Sequence, residues 1–189
     1  MSVRIKVQKV NLLDWLFMGT ILFFGLSMIH VTFALFGILC AVTPFMMYAK
    51  TGKKLWCTTY CPRASLFSSL LRKVSLGMKT PDWLFTEKTK RSVIVFFCIN
   101  LFFATMSTVM VALGRLEPMA FIRFLMAFQL PVELPQLINF AVPDYLLHLS
   151  YRVFSIMFSS TVVGLVLGIL YKPRTWCGIC PIQTLTTIK

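Results

Sequence analysis

Apolar residues come in long blocks along this chain, and most polar residues lie in the gaps between them. From Leu12 to Tyr48 the only acid is Asp14, near the start of the block. A helix needs about 20 apolar residues to cross a bilayer. The block therefore predicts two helices, near 12–29 and 31–49, with a tight turn around His30. One very long tilted helix is the competing reading, since no Gly-Pro pair marks the turn. Ser92 to Leu113 predicts a third crossing and Tyr151 to Tyr171 a fourth. Gly164 and Gly168 stand four apart in the last block. They either permit close helix packing or simply sit in a helix that tolerates them.

Composition agrees with membrane residence. Of 189 residues, 58% are hydrophobic and only 13% charged, against about 25% charged in an average soluble domain. The basic start "MSVRIKVQKV" leads into an apolar run with no small-residue cleavage site, which argues against a signal peptide.

Charge then sets an expected topology. The net charge is +13, and 16 of the 19 Lys and Arg lie before the first block, between residues 50 and 91, or after the last block. The segment between the third and fourth blocks, with Arg152 at its edge, holds only Arg115, Arg123 and Arg152. Positive residues stay inside, so both termini and the 50–91 loop are expected in the cytoplasm. Four crossings satisfy this, and three do not. The expected fold is an all-α integral membrane protein with four transmembrane helices in one membrane domain, 1–189.

Two short stretches stand apart. "YAKTGKKLWCTTYCPRASL" begins at Tyr48 and "YKPRTWCGICPIQTL" at Tyr171. Both run Tyr, basic residues, Trp-Cys, Cys-Pro. Each follows a span that is expected to run inward. The chain thus reads as a parallel repeat, 1–80 and 81–189, each half a helix pair followed by a cytoplasmic Cys-Pro cassette. Such repeats are related by an axis along the membrane normal. That axis would bring Cys57, Cys61, Cys177 and Cys180 together. The competing reading is a chance likeness of two basic-aromatic helix ends.

Four converging thiols in a reducing compartment are not expected to form structural disulfides. Zinc and iron–sulfur clusters both take four thiolates, and nearby Lys and Arg ease thiol ionisation. Close Cys pairs suit zinc, and they also suit dithiol chemistry. The Pro after each second Cys favours iron–sulfur, because ferredoxin runs end in Cys-Pro. Proline has no N–H and turns the chain away. Cys40 and Cys98 fall inside expected spans and read as inert packing residues.

With "WCTTYCP" and "WCGICP" in view, the chain resembles the polytopic membrane iron–sulfur proteins of the NapH type and the related NosR- and CcoG-like proteins. The resemblance covers the four-helix core. It implies a [4Fe-4S] cluster on Cys57, Cys61, Cys177 and Cys180, in the cytoplasmic membrane of a prokaryote. It also implies electron transfer, often between the quinone pool and a redox partner, within a complex of other membrane subunits. The chain departs from the pattern twice. Its second motif is Cys-x2-Cys rather than Cys-x3-Cys, and it lacks the soluble ferredoxin domain of those proteins.

Other polar residues are candidates of a lower order. His30 lies 27 residues before Cys57, and His148 lies 29 before Cys177. Both fall at the outer ends of helices, where haem b ligation competes with a plain interfacial role. About 20 helical residues at about 1.5 Å each separate His30 from the cassette end, a long gap for an electron. The outer segment 114–150 contains Pro118, Pro131, Pro135 and Pro143. It predicts a helix over about 118–129, lying in the interface or dipping back into the membrane. There Glu117 and Arg123 are candidates to line a quinone or partner site. Arg63 to Ser75 reads as an amphipathic helix on the inner surface. Leu66, Phe67, Leu70, Leu71 and Val74 share one face, and Arg72 and Lys73 face lipid headgroups. Asp82 is placed to cap the approach to the third span. Trp56 and Trp176 read as interfacial anchors that also shield a cluster from water.

The expected function is membrane electron transfer through one cytoplasmic-face [4Fe-4S] cluster. The basic inner face would attract an acidic soluble carrier such as ferredoxin or flavodoxin, as well as membrane lipid. Nucleic acid is not an expected partner, and no catalytic base or nucleophile is evident. A thiol–quinone oxidoreductase and a zinc-stapled membrane scaffold are the alternatives.

Overall fold

A computed structural model describes residues 2–52, 55–72, 74–125, 128–130, 134, 136–138 and 141–186, with side chains from Trp15 onward except Thr58. Lys53, Lys54, Lys73, Lys189, Pro131 and Pro135 lie outside the described residues, as do the side chains of Arg4, Lys6, Lys9 and Asp14.

The chain is mostly helical. Helix α1 covers Ser2–Ile29, and after a 3₁₀ turn at Val31–Leu35 the chain continues as α2, Phe36–Thr51. The expected break at His30 is present, so the first block is not one long helix. His30 is extended (φ −153°, ψ 130°), and its side chain accepts the N–H of Thr32 at 3.3 Å. A histidine thus does the capping that Ser or Asp usually does. The carbonyl of Ile29, freed where α1 ends, accepts from the N–H groups of Leu137 and Ile138 at 3.1 and 3.3 Å. The N–H of Val31 donates to Gln136 Oε1 at 3.2 Å.

Helix α4 spans Glu87–Ala112 and α5 spans Asp144–Leu170. Both begin earlier than the apolar blocks do. Each has an acid in its first turn, Glu87 and Asp144, which the positive N-terminal end of a helix favours. Among the described residues, Val31–Thr51, α4 and α5 are long and apolar enough to cross a membrane, and Trp15–Ile29 is a shorter apolar helix. Most of α4's large apolar side chains, including Phe96, Phe102 and Phe103, are exposed, as a lipid-facing helix requires. Asp82 does not cap α4. It opens a separate 3₁₀ turn, Asp82–Phe85, behind Pro81.

The residues cluster into two compact units. One contains 23–40 and 95–160. Its core is Val31, Ala34, Met119, Ile122, Leu134, Tyr151 and Phe154. Phe24 packs edge-on against Phe154, with ring centroids 5.8 Å apart. The outer segment does not form the expected helix over 118–129. It forms a short antiparallel hairpin, β1 (Arg123–Phe124) and β2 (Phe128–Gln129). The reason lies on α5. The backbone N–H groups of Met119, Arg123 and Leu125 donate to His148 Nδ1, Ser155 Oγ and Ser159 Oγ at 3.0, 3.1 and 2.9 Å. These three acceptors recur at helical spacing along one face of α5. They satisfy amides that a helix would have paired internally. Ser159 lies 15 residues into α5, about 22 Å along its axis, so the hairpin follows the helix deeply. Leu125, at its tip, has φ 49°.

The other unit contains 1–22, 41–94 and 161–189. Here α3 covers Pro62–Leu70, α6 Thr175–Ile179 and α7 Pro181–Leu185. The amphipathic face expected over 63–75 is divided. Phe67 and Leu71 are buried, while Leu70 and Val74 are exposed. Gly164 and Gly168 explain the division, since side chains at those positions would strike Phe67 and Leu71. The glycines therefore receive side chains from α3. At the end of α5, the carbonyls of Ile169 and Leu170 accept from the N–H groups of Leu76 and Met78 at 2.8 and 3.3 Å. Ser75 Oγ donates to the carbonyl of Tyr171 at 2.8 Å. Residues 75–78 thus close a helix end whose carbonyls have no partner within the helix.

Candidate metal centre

The two cassettes fold as variants of one turn. In the first, Trp56–Tyr60 forms a π-helical turn, closed by Cys61 N–H to the carbonyl of Trp56 at 2.9 Å. In the second, α6 forms an α-helical turn. A π-turn closes i→i+5 where an α-turn closes i→i+4. The extra residue of Cys-x3-Cys is absorbed in this wider turn. The departure in spacing noted in the sequence therefore leaves both cassettes with one Cys inside a turn and one at its end.

The second cysteines are equivalent in backbone. Cys61 has φ −71°, ψ 113° and caps α3, whose first residue is Pro62. Cys180 has φ −57°, ψ 130° and caps α7, whose first residue is Pro181. Proline forces the residue before it out of the helical region, and its own missing N–H costs nothing at a helix start. Each Cys-Pro pair therefore ends one turn and begins the next. The carbonyls of Cys61 and Cys180 accept the first helical bonds, from Ser65 N–H at 3.1 Å and Thr184 N–H at 3.0 Å.

All four cysteines belong to the same unit, are half-buried and are not disulfide-bonded. Burial pushes the Cys177 thiol up to about 12, and charge on Cys61, Cys180 and Cys57 adds to this, against a lowering by Arg174. Burial likewise raises Cys180, with Arg63 and the N–H groups of Gln183 and Ile182 opposing it. The basic surroundings were expected to ease ionisation. Desolvation outweighs them at both positions, because a thiolate loses more hydration on burial than a distant guanidinium returns.

Among the described residues, no group of three or more His, Cys, Asp or Glu is set to hold a metal ion. A single zinc ion would need its sulfurs about 3.8 Å apart, given Zn–S bonds of about 2.3 Å. Two thiols are supplied by each of two matched turns.

Two contacts at this end were not apparent from the sequence. Arg174 Nε donates to Ser68 Oγ at 2.7 Å, joining the start of the second cassette to the helix that follows the first. Phe85 packs on Gly178, between Cys177 and Cys180, where a side chain would collide with the ring. The available signal was the lone glycine inside "WCGICP". Trp56 and Trp176 are both half-buried.

The remaining candidates are placed elsewhere in the fold. His30 and His148 are each 4% exposed. His148 Nδ1 accepts from Met119 N–H, which leaves the proton on Nε2, 3.0 Å from Ser107 Oγ. Arg152 Nε, 3.4 Å from Nε2, then faces an N–H and is a contact without a hydrogen bond. Both ring nitrogens of His148 are engaged, and a haem iron would have to displace one partner. Glu117 is exposed, and the Arg123 guanidinium stacks over Phe121, 5.1 Å from the ring centroid. Cys40 is half-buried and Cys98 exposed. No family model, curated protein or solved structure matches the chain.

Proposed function

We propose that this chain is a membrane electron-transfer subunit that holds one [4Fe-4S] cluster through Cys57, Cys61, Cys177 and Cys180. In this reading α1 is a fourth crossing. Two helix pairs form a parallel repeat, and the cassettes face the cytoplasm in the inner membrane of a prokaryote. The placement of basic residues supports the orientation.

The observation that carries the proposal is the matched pair of Cys-Pro turns, π in one and α in the other, within one compact unit. When bound, the cluster would store one electron. The chain's own part is to deliver four thiolates, and half-buried Trp56 and Trp176 beside two of them keep water away. Other subunits supply or accept the electron, or an acidic carrier such as ferredoxin or flavodoxin drawn to the basic face does so. Quinone is the membrane acceptor or donor that suits this location.

The test is whether the four cysteines act as one set. Iron content of Cys61→Ser and Cys180→Ser protein, purified anaerobically, should fall together and severalfold in each. Loss in one variant and full retention in the other would exclude a shared centre.

A further inference from the structure

Exposed apolar side chains lie along the segment that runs from the end of α5 to the start of α4. Leu76, Met78 and Trp83 are 67%, 45% and 64% exposed. The backbone that carries them is fixed at both ends. The N–H groups of Leu76 and Met78 donate to the carbonyls of Ile169 and Leu170, the last two residues of α5. The carbonyl of Trp83 accepts from Thr89 Oγ1 at 2.7 Å, in the first turn of α4. Leu84 is buried and Phe85 packs on Gly178. These two side chains seat the turn at Asp82–Phe85 and leave Trp83 outside. Both α4 and α5 are long and apolar enough to cross a membrane. A crossing helix ends near the headgroup layer, where tryptophan is enriched. The segment is therefore held at that depth by the two helix ends.

Charge selects the occupant. From Leu76 to Arg91 the chain carries Lys79, Lys88, Lys90 and Arg91 against Asp82 and Glu87. Glu87 pairs with Lys90 at 2.8 Å. That leaves Lys79, Lys88 and Arg91, all exposed, against Asp82. Apolar side chains and cations thus alternate along one stretch of chain. An anionic phospholipid matches both, with acyl chains for Leu76, Met78 and Trp83 and a phosphate for the basic residues. We propose that residues 76–91 form a binding surface for anionic phospholipid, with Trp83 inserted among the upper acyl chains. The surface selects anionic over zwitterionic headgroups through Lys79, Lys88 and Arg91. This rests on the membrane location of α4 and α5 and is independent of the cluster.

The experiment is tryptophan quenching in the full chain, reconstituted into phosphatidylcholine vesicles. The quencher is phosphatidylglycerol or phosphatidylcholine, each brominated near the carbonyl end of its acyl chains and used at the same mole fraction. The Trp83 signal is the emission lost in Trp83→Phe. Both lipids should quench it, and brominated phosphatidylglycerol should do so about twofold or more strongly. High salt should remove that excess and leave the quenching by phosphatidylcholine. The combined Lys79→Gln, Lys88→Gln and Arg91→Gln variant should do the same, and salt decides alone if that variant does not reconstitute. Equal quenching by the two lipids in wild type at low salt would overturn the proposal. So would an unquenched Trp83, which would leave a second copy or another subunit as the cover. Phe102→Trp, made in Trp83→Phe protein, is the control on α4, since Phe102 is exposed well inside that helix. If its tryptophan is not quenched either, the membrane reading itself fails, which separates the two failures.

Discussion

The ring of Phe67 occupies the space that a side chain at Gly164 would fill. Four residues on, Leu71 does the same at Gly168. Through these contacts the helix that follows the first cassette is seated on the end of α5 that leads into the second. Gly164→Ala forces a methyl group into the ring. Overpacking of this kind costs about 1–3 kcal/mol. The melting temperature of the detergent-solubilised protein should fall accordingly, and Phe67→Leu in the same chain should recover part of the loss. A Gly164→Ala protein that melts like wild type would show that the contact does not hold the helices together.

Cysteine chemistry should divide sharply by position. Replacing Cys57, Cys61, Cys177 or Cys180 with Ser should cut iron per chain severalfold, measured by metal analysis. Cys40→Ala and Cys98→Ala should leave it unchanged, because neither lies in a Cys-Pro turn.

The hairpin is held by side chains of α5. Ser155→Ala leaves the N–H of Arg123 without its partner, and Ser159→Ala does the same for Leu125. A buried donor left unpaired costs about 1–3 kcal/mol. Hydrogen exchange followed by mass spectrometry should show faster exchange in peptides covering 118–130 in both variants. Exchange at the wild-type rate would mean that the amides find other partners.

Burial makes Cys177 a poor thiolate in metal-free protein. An ordinary cysteine ionises near 9.0, whereas Cys177 is pushed up to about 12. Alkylation by iodoacetamide proceeds through the thiolate. In metal-free protein at pH 8, Cys177 should therefore react far more slowly than it does in the denatured chain, and its rate should keep rising well above pH 9. The linked stability has the opposite trend. A folded chain that keeps this proton after an unfolded one has lost it is stabilised below about pH 9, and that contribution is lost as pH rises toward 12. Rapid labelling of Cys177 at pH 8 would contradict this placement.

Much of the architecture can be read from residue pattern, and the failures have physical causes. The apolar blocks locate three helices of crossing length and the break at His30. The break was a weak signal, because a capping histidine and the carbonyl partners 137–138 replace the usual Gly or Pro. The Cys-Pro pairs stood out in the sequence, and each proves to start a helix, since proline imposes the same backbone on Cys61 and Cys180. The 3.6-residue pattern failed at 118–129. Phe121, Leu125 and Phe128 look helical in sequence, but the amides around them are claimed by His148, Ser155 and Ser159, some 30 residues away. A similar tertiary effect divides the face of α3, where two glycines on α5 admit Phe67 and Leu71 and leave Leu70 outside. The π-turn that reconciles Cys-x3-Cys with Cys-x2-Cys has no signature in local composition.

The central claim is that Cys57, Cys61, Cys177 and Cys180 hold one four-iron cluster. Iron and acid-labile sulfide per chain, with EPR after dithionite reduction of anaerobically purified wild-type protein, test it most directly. The account predicts about four irons and four sulfides and a reduced-cluster signal, as the four-cysteine ligation of such clusters requires. Colourless protein containing one zinc and no sulfide would contradict it.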